Sequence, residues 1–288
     1  MCDESDFGGF SQRRRGISRR TFGAMAIGTG LAMSLPRIAG AAETKGSDVE
    51  IKTPDGTADA FFVRPNKGKH PGVLIWPDIL GLRVAFRDMA TRLAENGYAV
   101  LVVNPFYRSK RAPTAPEHFD FNNAAMLAAV MKLKDSLTVE TAQTDARAFV
   151  EFLDKQSAVD VKRKVGTMGY CMGGPLVLRT AATLPDRVGA GATFHGSGLV
   201  TDKADSPHLL IPKMKAQFLI AIAENDDAKE PTAKDTLRAA FAAAKLPAEI
   251  EVYAGTKHGW CPTDSPVYGH DQAEKAWSRM LALFKTAL

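Results

Sequence analysis

Apolar residues along this chain fall into two patterns, short unbroken runs and longer stretches with helical spacing. The runs at 72–76 (GVLIW) and 98–103 (YAVLVV) contain no charged residue and are rich in β-formers, which is typical of strands buried on both faces. The stretch 84–96 repeats apolar residues at helical intervals and ends before Gly97, a residue suited to a helix C-terminus. The same criteria predict strands at 49–53, 58–64, 72–76, 98–103, 165–169, 188–194, 217–223 and 249–253, and helices at 84–96, 139–153, 173–184, 232–245 and 270–286.

This order of elements predicts an α/β fold with a mostly parallel central sheet and helices on both faces. The first two strands are expected to form a hairpin around the turn Pro54-Asp55-Gly56. The segment 109–121 contains two prolines and is interpreted as a long loop over the site rather than a domain boundary. One domain over 42–288 is therefore expected.

The first 41 residues have a composition of their own. Arginines cluster at 13–15 and 19–20, the stretch 21–36 has no charge and is rich in Gly, Ala and Met, and Ala39-Gly40-Ala41 has the small-x-small pattern of a cleavage site. These features predict an export signal peptide rather than a membrane span. Residues 18–22 (SRRTF) resemble a twin-arginine signal, which the twin-arginine export machinery reads. The expected location is therefore periplasmic or secreted, with no stable membrane insertion.

Composition and charge exclude several classes of protein. With 45% apolar and 24% charged residues, the chain is neither disordered nor fibrous. The formal charge is +5, but residues 1–41 hold six of the 37 Lys and Arg and three of the 32 Asp and Glu, which leaves 31 against 29, or +2, for 42–288. The basic run at 162–164 directly precedes a strand and suits a solvated turn, so nucleic acid is not expected as a partner.

The strongest candidate for chemistry is Gly169-Tyr170-Cys171-Met172-Gly173-Gly174, between a predicted strand and a predicted helix. This is the nucleophile-elbow pattern with Cys in place of Ser, in which small residues two positions away let strand and helix pack closely. The start of the helix favours a thiolate at Cys171, and the N–H of Met172 would be an oxyanion donor. A buried structural cysteine in a Gly-rich turn is the alternative interpretation.

An elbow enzyme needs an acid and then a histidine downstream of the nucleophile. The strand at 217–223 is followed by Glu224-Asn225-Asp226-Asp227, and the strand at 249–253 is followed by a loop containing His258. Asp226 and Asp227 both remain candidates for the acid, with Asp226 preferred for its spacing from the strand. The three residue types thus occur in the required order, each after a strand.

These motifs resemble those of the dienelactone hydrolase family of α/β-hydrolases. The resemblance covers roughly 49–288 and includes the segments 77–81 (PDILG), 169–174 (GYCMGG), 223–226 (AEND) and 258–260 (HGW). It implies that Cys171 is the nucleophile, His258 the base and Asp226 the acid that orients His258. The implied activity is hydrolysis of carboxylic esters or lactones through an acyl-thioester.

The resemblance also assigns roles around this triad. Asp78 stands where the family has a second acid, often Glu, paired with the resting thiol, and the N–H of Ile79 would be the second oxyanion donor. Tyr107 and Arg108 match one half of the arginine clamp that binds a substrate carboxylate in well-known members. No Arg follows His258 closely, so the other half is absent and a neutral or singly anchored substrate is expected.

Other residues have weaker assignments. His195 and Trp260 are expected to line the pocket, with core packing as the alternative for Trp260. Cys261 lies three residues after His258, and we hypothesise that it comes close enough to Cys171 for reversible oxidation. His258-x-x-Cys261 lacks a second ligand pair, so neither a metal nor another cofactor is expected. A non-hydrolytic descendant that binds a ligand or acts in thiol redox chemistry is the alternative function.

Overall fold

An eight-stranded sheet organises residues 42–288, the part of the chain that this computed structural model describes. The predicted signal peptide at 1–41 lies outside the described residues. The strands are β1 (Thr44–Thr53), β2 (Gly56–Pro65), β3 (Gly72–Trp76), β4 (Ala99–Val103), β5 (Val165–Tyr170), β6 (Val188–Phe194), β7 (Gln217–Ala223) and β8 (Ala248–Tyr253).

The strand order across the sheet is β1-β2-β4-β3-β5-β6-β7-β8. β1 and β2 form the predicted antiparallel hairpin, with Thr53 opposite Gly56, and β2 is antiparallel to β4. All pairings from β4 to β8 are parallel. The predicted mostly parallel α/β sheet is therefore confirmed, and the carboxyl ends of β3 to β8 lie along one edge.

Seven helices accompany the sheet within the described residues. They are α1 (Val84–Glu95), α2 (Ala124–Lys134), α3 (Val139–Asp154), α4 (Gly173–Thr183), α5 (Glu224–Lys229), α6 (Ala233–Ala243) and α7 (His270–Ala287). A 3-10 helix (Pro207–Lys213) follows β6.

The predicted elements form close to their expected bounds, but the sequence missed α2, α5 and the 3-10 helix. In α2 the Asn123 side chain accepts hydrogen bonds from the N–H groups of Ala125 and Met126, which starts the helix directly after the proline-containing loop. The side chains of α2 itself are apolar on nearly all sides of the helix, so its sequence shows no helical periodicity.

Buried apolar residues cover both faces of the sheet. One cluster joins α3, α4 and α6 to one face, where Trp76 at the end of β3 donates a 3.1 Å hydrogen bond from Nε1 to Thr180 Oγ1. A second joins α1 and α7 to the other face. No helix among residues 42–288 has the length and apolar character needed to cross a membrane.

Candidate active site

Cys171 occupies the sharp turn between β5 and α4 with a φ of 53°, a conformation that side-chain-bearing residues rarely adopt. Glycine at two flanking positions makes the turn sterically feasible. A Cβ on Gly169 would lie 2.3 Å from the carbonyl oxygen of Gly173, and one on Gly173 would lie 2.4 Å from that of Trp76. The predicted elbow geometry is therefore present in the structure.

The backbone fixes Cys171 between β6 and the first turn of α4. Its N–H donates to the Phe194 carbonyl at 3.1 Å, and its own carbonyl accepts from the N–H of Gly174 at 3.0 Å. Cys171 is 3% exposed, and one residue, Met172, separates it from the start of α4. The partial positive charge of a helix N-terminus favours the thiolate over the thiol at such a position.

Asp226 and His258 form a hydrogen-bonded pair at the same edge of the sheet. Asp226 Oδ2 lies 2.8 Å from His258 Nδ1, and the His258 side chain is only 4% exposed. The His258 N–H donates to Asn225 Oδ1 at 2.7 Å, which fixes the loop as well as the ring. Asp227 instead pairs with Lys234 at 2.7 Å. Of the two adjacent carboxylates, the structure brings Asp226 to the histidine.

The turn after β7 is a short helix, α5, that is tied to the His258 loop. Thr256 Oγ1 accepts the Glu224 N–H at 3.2 Å and donates to the Tyr253 carbonyl at 2.6 Å. The N–H of Gly255 donates to Glu224 Oε2 at 3.3 Å. These bonds hold the acid and the histidine in register although they are 32 residues apart in sequence.

His195 lies between the elbow and the catalytic histidine candidate. Its ring packs edge-on against the His258 ring, with centroids 5.0 Å apart, and it directly follows Phe194, whose carbonyl binds Cys171. Its φ is 42° and it is 1% exposed. Burial, reinforced by the proximity of His258, lowers the pKa of His195 well below its usual value, so this imidazole stays neutral. Cys171 and His258 are thus both adjacent to the β6 exit.

The turn after β3 places Ile79 beside the elbow. Ile79, Cys171 and Met172 belong to one buried cluster, and the Gly81 N–H donates to the Asp78 carbonyl at 2.9 Å to close the turn. The two backbone N–H groups predicted as oxyanion donors therefore come from segments in direct contact. The carbonyl of the last residue of β3 lies against Gly173, the first residue of α4.

Asp78 is bound by Arg83, a residue that the sequence analysis did not single out. Arg83 Nη1 and Nη2 lie 2.7 and 2.9 Å from the two Asp78 oxygens, and the Leu80 N–H adds a third bond at 3.0 Å. Arg83 also binds Asp264, with Nε 2.6 Å from Oδ2. Burial alone lowers the pKa of Arg83, but the two carboxylates outweigh it and raise that pKa. Both Asp78 oxygens are thus engaged in an ion pair that links the Ile79 turn to the loop after His258.

Tyr107 and Arg108 bind Asp145, a fully buried carboxylate on α3. The Tyr107 hydroxyl donates to Asp145 Oδ1 at 2.8 Å, and Arg108 Nη1 lies 2.8 Å from Oδ2. Arg108 also pairs with Asp55 in the β1–β2 turn at 2.5 Å. The sequence predicts that both side chains bind substrate, and in the structure they bind the protein carboxylates Asp145 and Asp55.

Trp260 and Cys261 lie in the core beneath the site. Trp260 is fully buried and stacks on Tyr253 with centroids 4.8 Å apart, which favours the packing interpretation. Within residues 42–288 no disulfide joins Cys171 to Cys261, and the two thiols belong to different buried clusters. Burial raises the pKa of Cys261 and so suppresses its thiolate. No three His, Cys, Asp or Glu side chains in the described part of the chain are grouped as a metal site requires.

A cleft of about 1320 Å³ opens beside the elbow and reaches Met172. Its walls come from the α2–α3 connection, one face of α4, the segment 198–207 after β6 and the segment 229–233 after α5. The residue next to the candidate nucleophile therefore faces a space large enough for an extended ligand.

The sheet topology, the elbow and the Asp226–His258 pair together define an α/β-hydrolase. The model of the dienelactone hydrolase family matches residues 58–288, and the chain belongs to that family. It is accordingly a hydrolase that acts on ester or lactone bonds.

Individual relatives agree with this assignment. A candidate carboxymethylenebutenolidase of Synechocystis sp. is 28% identical over 225 residues, 77% of this chain and 88% of the relative. Another from Methylorubrum extorquens is 26% identical over 93% of each chain. The crystal structure of a candidate dienelactone hydrolase from Klebsiella pneumoniae is similar in fold, with a TM-score of 0.73 at 22% identity over 84% of this chain and 99% of that one.

Proposed function

We propose that the protein hydrolyses carboxylic esters or lactones with Cys171 as the nucleophile, through an acyl-thioester. The observation that carries this proposal is the strained position of Cys171 in the elbow, together with the hydrogen-bonded Asp226–His258 pair at the same edge of the sheet. Strained backbone of this kind clusters at functional sites, and in a nucleophile elbow it directs the nucleophile toward the substrate at the sheet edge.

The proposed first half-reaction forms the thioester. Asp226 accepts a hydrogen bond from the Nδ1–H of His258 and so fixes the tautomer in which Nε2 takes the proton from the Cys171 thiol. The sulfur adds to the carbonyl carbon, and the N–H groups of Ile79 and Met172 stabilise the resulting oxyanion. The carbon–oxygen ester bond then breaks, and His258 returns its proton to the leaving alkoxide.

In the second half-reaction water replaces the alcohol. His258 Nε2 takes a proton from water, the hydroxide adds to the thioester carbonyl, and the Cys171 sulfur leaves as thiolate and regains the proton. The products are one carboxylic acid and one alcohol, or one hydroxy acid from a lactone. His195 would keep the neighbouring site free of a second positive charge because its ring stays neutral.

We propose that Asp78 has a structural role and does not accept the proton of the Cys171 thiol. Since its oxygens accept hydrogen bonds from Arg83 and the Leu80 N–H, we propose that it holds the oxyanion turn in shape. For the segment outside the described residues, we propose twin-arginine-type export to the periplasm or beyond, on the strength of the sequence features at 1–41 alone.

The test is turnover of a short aryl ester by the wild type, Cys171→Ala and Cys261→Ala. We expect Cys171→Ala to lose turnover. Cys261→Ala removes a buried thiol from the core and should turn over the ester at the rate of the wild type, provided that it folds. Mass spectrometry of protein quenched during turnover should show the acyl group on the peptide that contains Cys171. Full turnover by Cys171→Ala, or acylation elsewhere, contradicts the proposal.

A further inference from the structure

The floor of the cleft beside Met172 holds a positive charge that protein carboxylates neutralise only in part. The Arg179 side chain on α4 is 11% exposed and lines the cleft. Its hydrogen bond within the described residues goes to the backbone carbonyl of Asp205, from Nη2 at 3.0 Å, and the Asp205 carboxylate is 3.8 Å away. Burial lowers the pKa of Arg179, and the acids Asp205 and Glu140 offset this only partly.

Arg179 differs in this respect from two other arginines near the site. Arg83 and Arg108 each bind two carboxylates at 2.5–2.7 Å, and their pKa values are raised. A guanidinium has five N–H donors. Arg179 therefore keeps donors that a ligand in the cleft can engage.

The position of Arg179 relative to the elbow sets the length of such a ligand. Met172, Leu176 and Arg179 all line the cleft and follow one another at helical spacing along α4. Seven residues at about 1.5 Å each give a span of about 10 Å, which the backward tilt of helix side chains shortens. A carbonyl held at the Met172 N–H would thus have its distal chain along α4, ending at Arg179.

Most other charged side chains of the cleft are exposed, including Lys203 and Lys229, whereas Lys134 is half-buried. All five carboxylates that line the cleft are exposed to solvent, where water and salt screen them: Asp135, Glu140, Asp202, Asp205 and Glu230. The floor next to α4 is formed by Leu176 and Pro207, which are buried and apolar. An anion reaching the floor meets Arg179 in a less polar environment than the rim provides.

We propose that this cleft binds the distal carboxylate of an extended ester or lactone substrate, and that Arg179 is the residue that binds it. This inference rests on the proposed hydrolase function and specifies its substrate class. It differs from the predicted clamp at Arg108, which would hold a carboxylate close to the scissile bond.

The experiment compares p-nitrophenyl monoesters of linear dicarboxylic acids, from succinate to sebacate, with neutral esters of equal chain length. We expect the wild type to prefer the carboxylate over its neutral match at the lengths that span to Arg179, by about 10- to 100-fold in kcat/KM. Arg179→Gln should remove that preference, so that the ratio of kcat/KM for the carboxylate to kcat/KM for its neutral match falls to about one. Lys203→Gln removes a positive charge from the exposed rim and is expected to change the preference less than about threefold.

The outcomes separate the two proposals. If neutral esters are hydrolysed but no chain length shows a carboxylate preference, or if Arg179→Gln keeps it, the cleft assignment is wrong while the hydrolase function stands. If no ester is hydrolysed, binding of the monomethyl ester of suberic acid to Cys171→Ala, with and without Arg179→Gln, decides the cleft assignment separately. Should Arg179→Gln not fold, Arg179→Met serves in its place, and an unaltered preference in that variant, which has no cation at this position, contradicts the assignment.

Discussion

The hydrogen bond from His258 Nδ1 to Asp226 Oδ2 predicts that Asp226→Ala slows hydrolysis far more than the same change at the adjacent Asp227. During the reaction His258 becomes an imidazolium in a site where its side chain is 4% exposed, and Asp226 is the carboxylate that compensates it. Removing one partner of a buried pair costs about 3–5 kcal/mol. Because the Asp226 side chain is 18% exposed, the lower part of that range applies.

At 1.36 kcal/mol per factor of ten, a loss of about 3–4 kcal/mol lowers kcat by about 10²–10³-fold. Asp227 makes a partly exposed pair with Lys234, so Asp227→Ala should cost at most about 1 kcal/mol of stability and change kcat less than about twofold. Initial rates with an aryl acetate, together with the melting temperature of each variant, measure both effects. Equal losses in the two variants, or a loss of less than tenfold for Asp226→Ala, would refute this account of the pair.

Three further predictions concern the surroundings of the site. Gly173→Ala places a Cβ 2.4 Å from a backbone carbonyl and should lower the unfolding free energy by about 1–3 kcal/mol, whereas Gly269→Ala, with nothing within 4 Å, should leave it unchanged in urea unfolding. Arg83→Met leaves the Asp78 carboxylate buried without its cation and should lower both melting temperature and kcat, while Asp264→Asn, at an exposed partner, should change either only slightly. Burial lowers the pKa of His195 in the folded protein, so the unfolded state binds the extra proton and stability is lost as the pH falls below about 6.5. His195→Asn removes this titration and tolerates the positive φ. It should therefore reduce the slope of unfolding free energy against pH by up to about 1.4 kcal/mol per pH unit. An unchanged pH slope in that variant would show that His195 does titrate freely.

The parallel strands β3 and β4 were predictable because each is an unbroken apolar run that is buried throughout. The bounds of β3, β6 and β7 match those predicted from the sequence, since these strands are mostly buried and contain no charged residue. β1 begins five residues earlier than predicted. Its first five residues are mostly exposed, so their pairing with β2 through the backbone leaves no apolar pattern in the sequence.

The candidate triad could be ordered from the sequence but not fully resolved. Cys171 and His258 follow from a motif and a strand end, whereas the choice between Asp226 and Asp227 depends on which way each side chain points from α5. That helix has no buried residue and no apolar periodicity, so its rotation about the axis cannot be deduced from the chain. The structure resolves it through the 2.8 Å bond to His258 and the separate pair of Asp227 with Lys234.

The carboxylate that each arginine binds was the least predictable property, because such ion pairs depend on contacts between distant segments. Arg83 is five residues from Asp78, but its second partner, Asp264, is 181 residues away in the loop after His258. Arg108 likewise binds Asp145 on α3, which is 37 residues away in the sequence. A charge pattern alone does not show which arginines are already neutralised by the protein.

The arginines of this fold thus have distinct roles, which depend on how many of their guanidinium N–H donors already bind protein carboxylates. Arg83 and Arg108 are bound by two carboxylates each, and a substrate carboxylate would have to displace an existing ion pair to reach them. Displacing Asp78 or Asp145 gains little, because the carboxylate left behind is a buried charge without its cation. Arg179 has a longer ion pair with a single exposed carboxylate and faces an open cleft, so a ligand adds a partner without stranding one. The anchoring position for an anionic substrate in this chain is therefore expected two helical turns beyond the elbow rather than next to it.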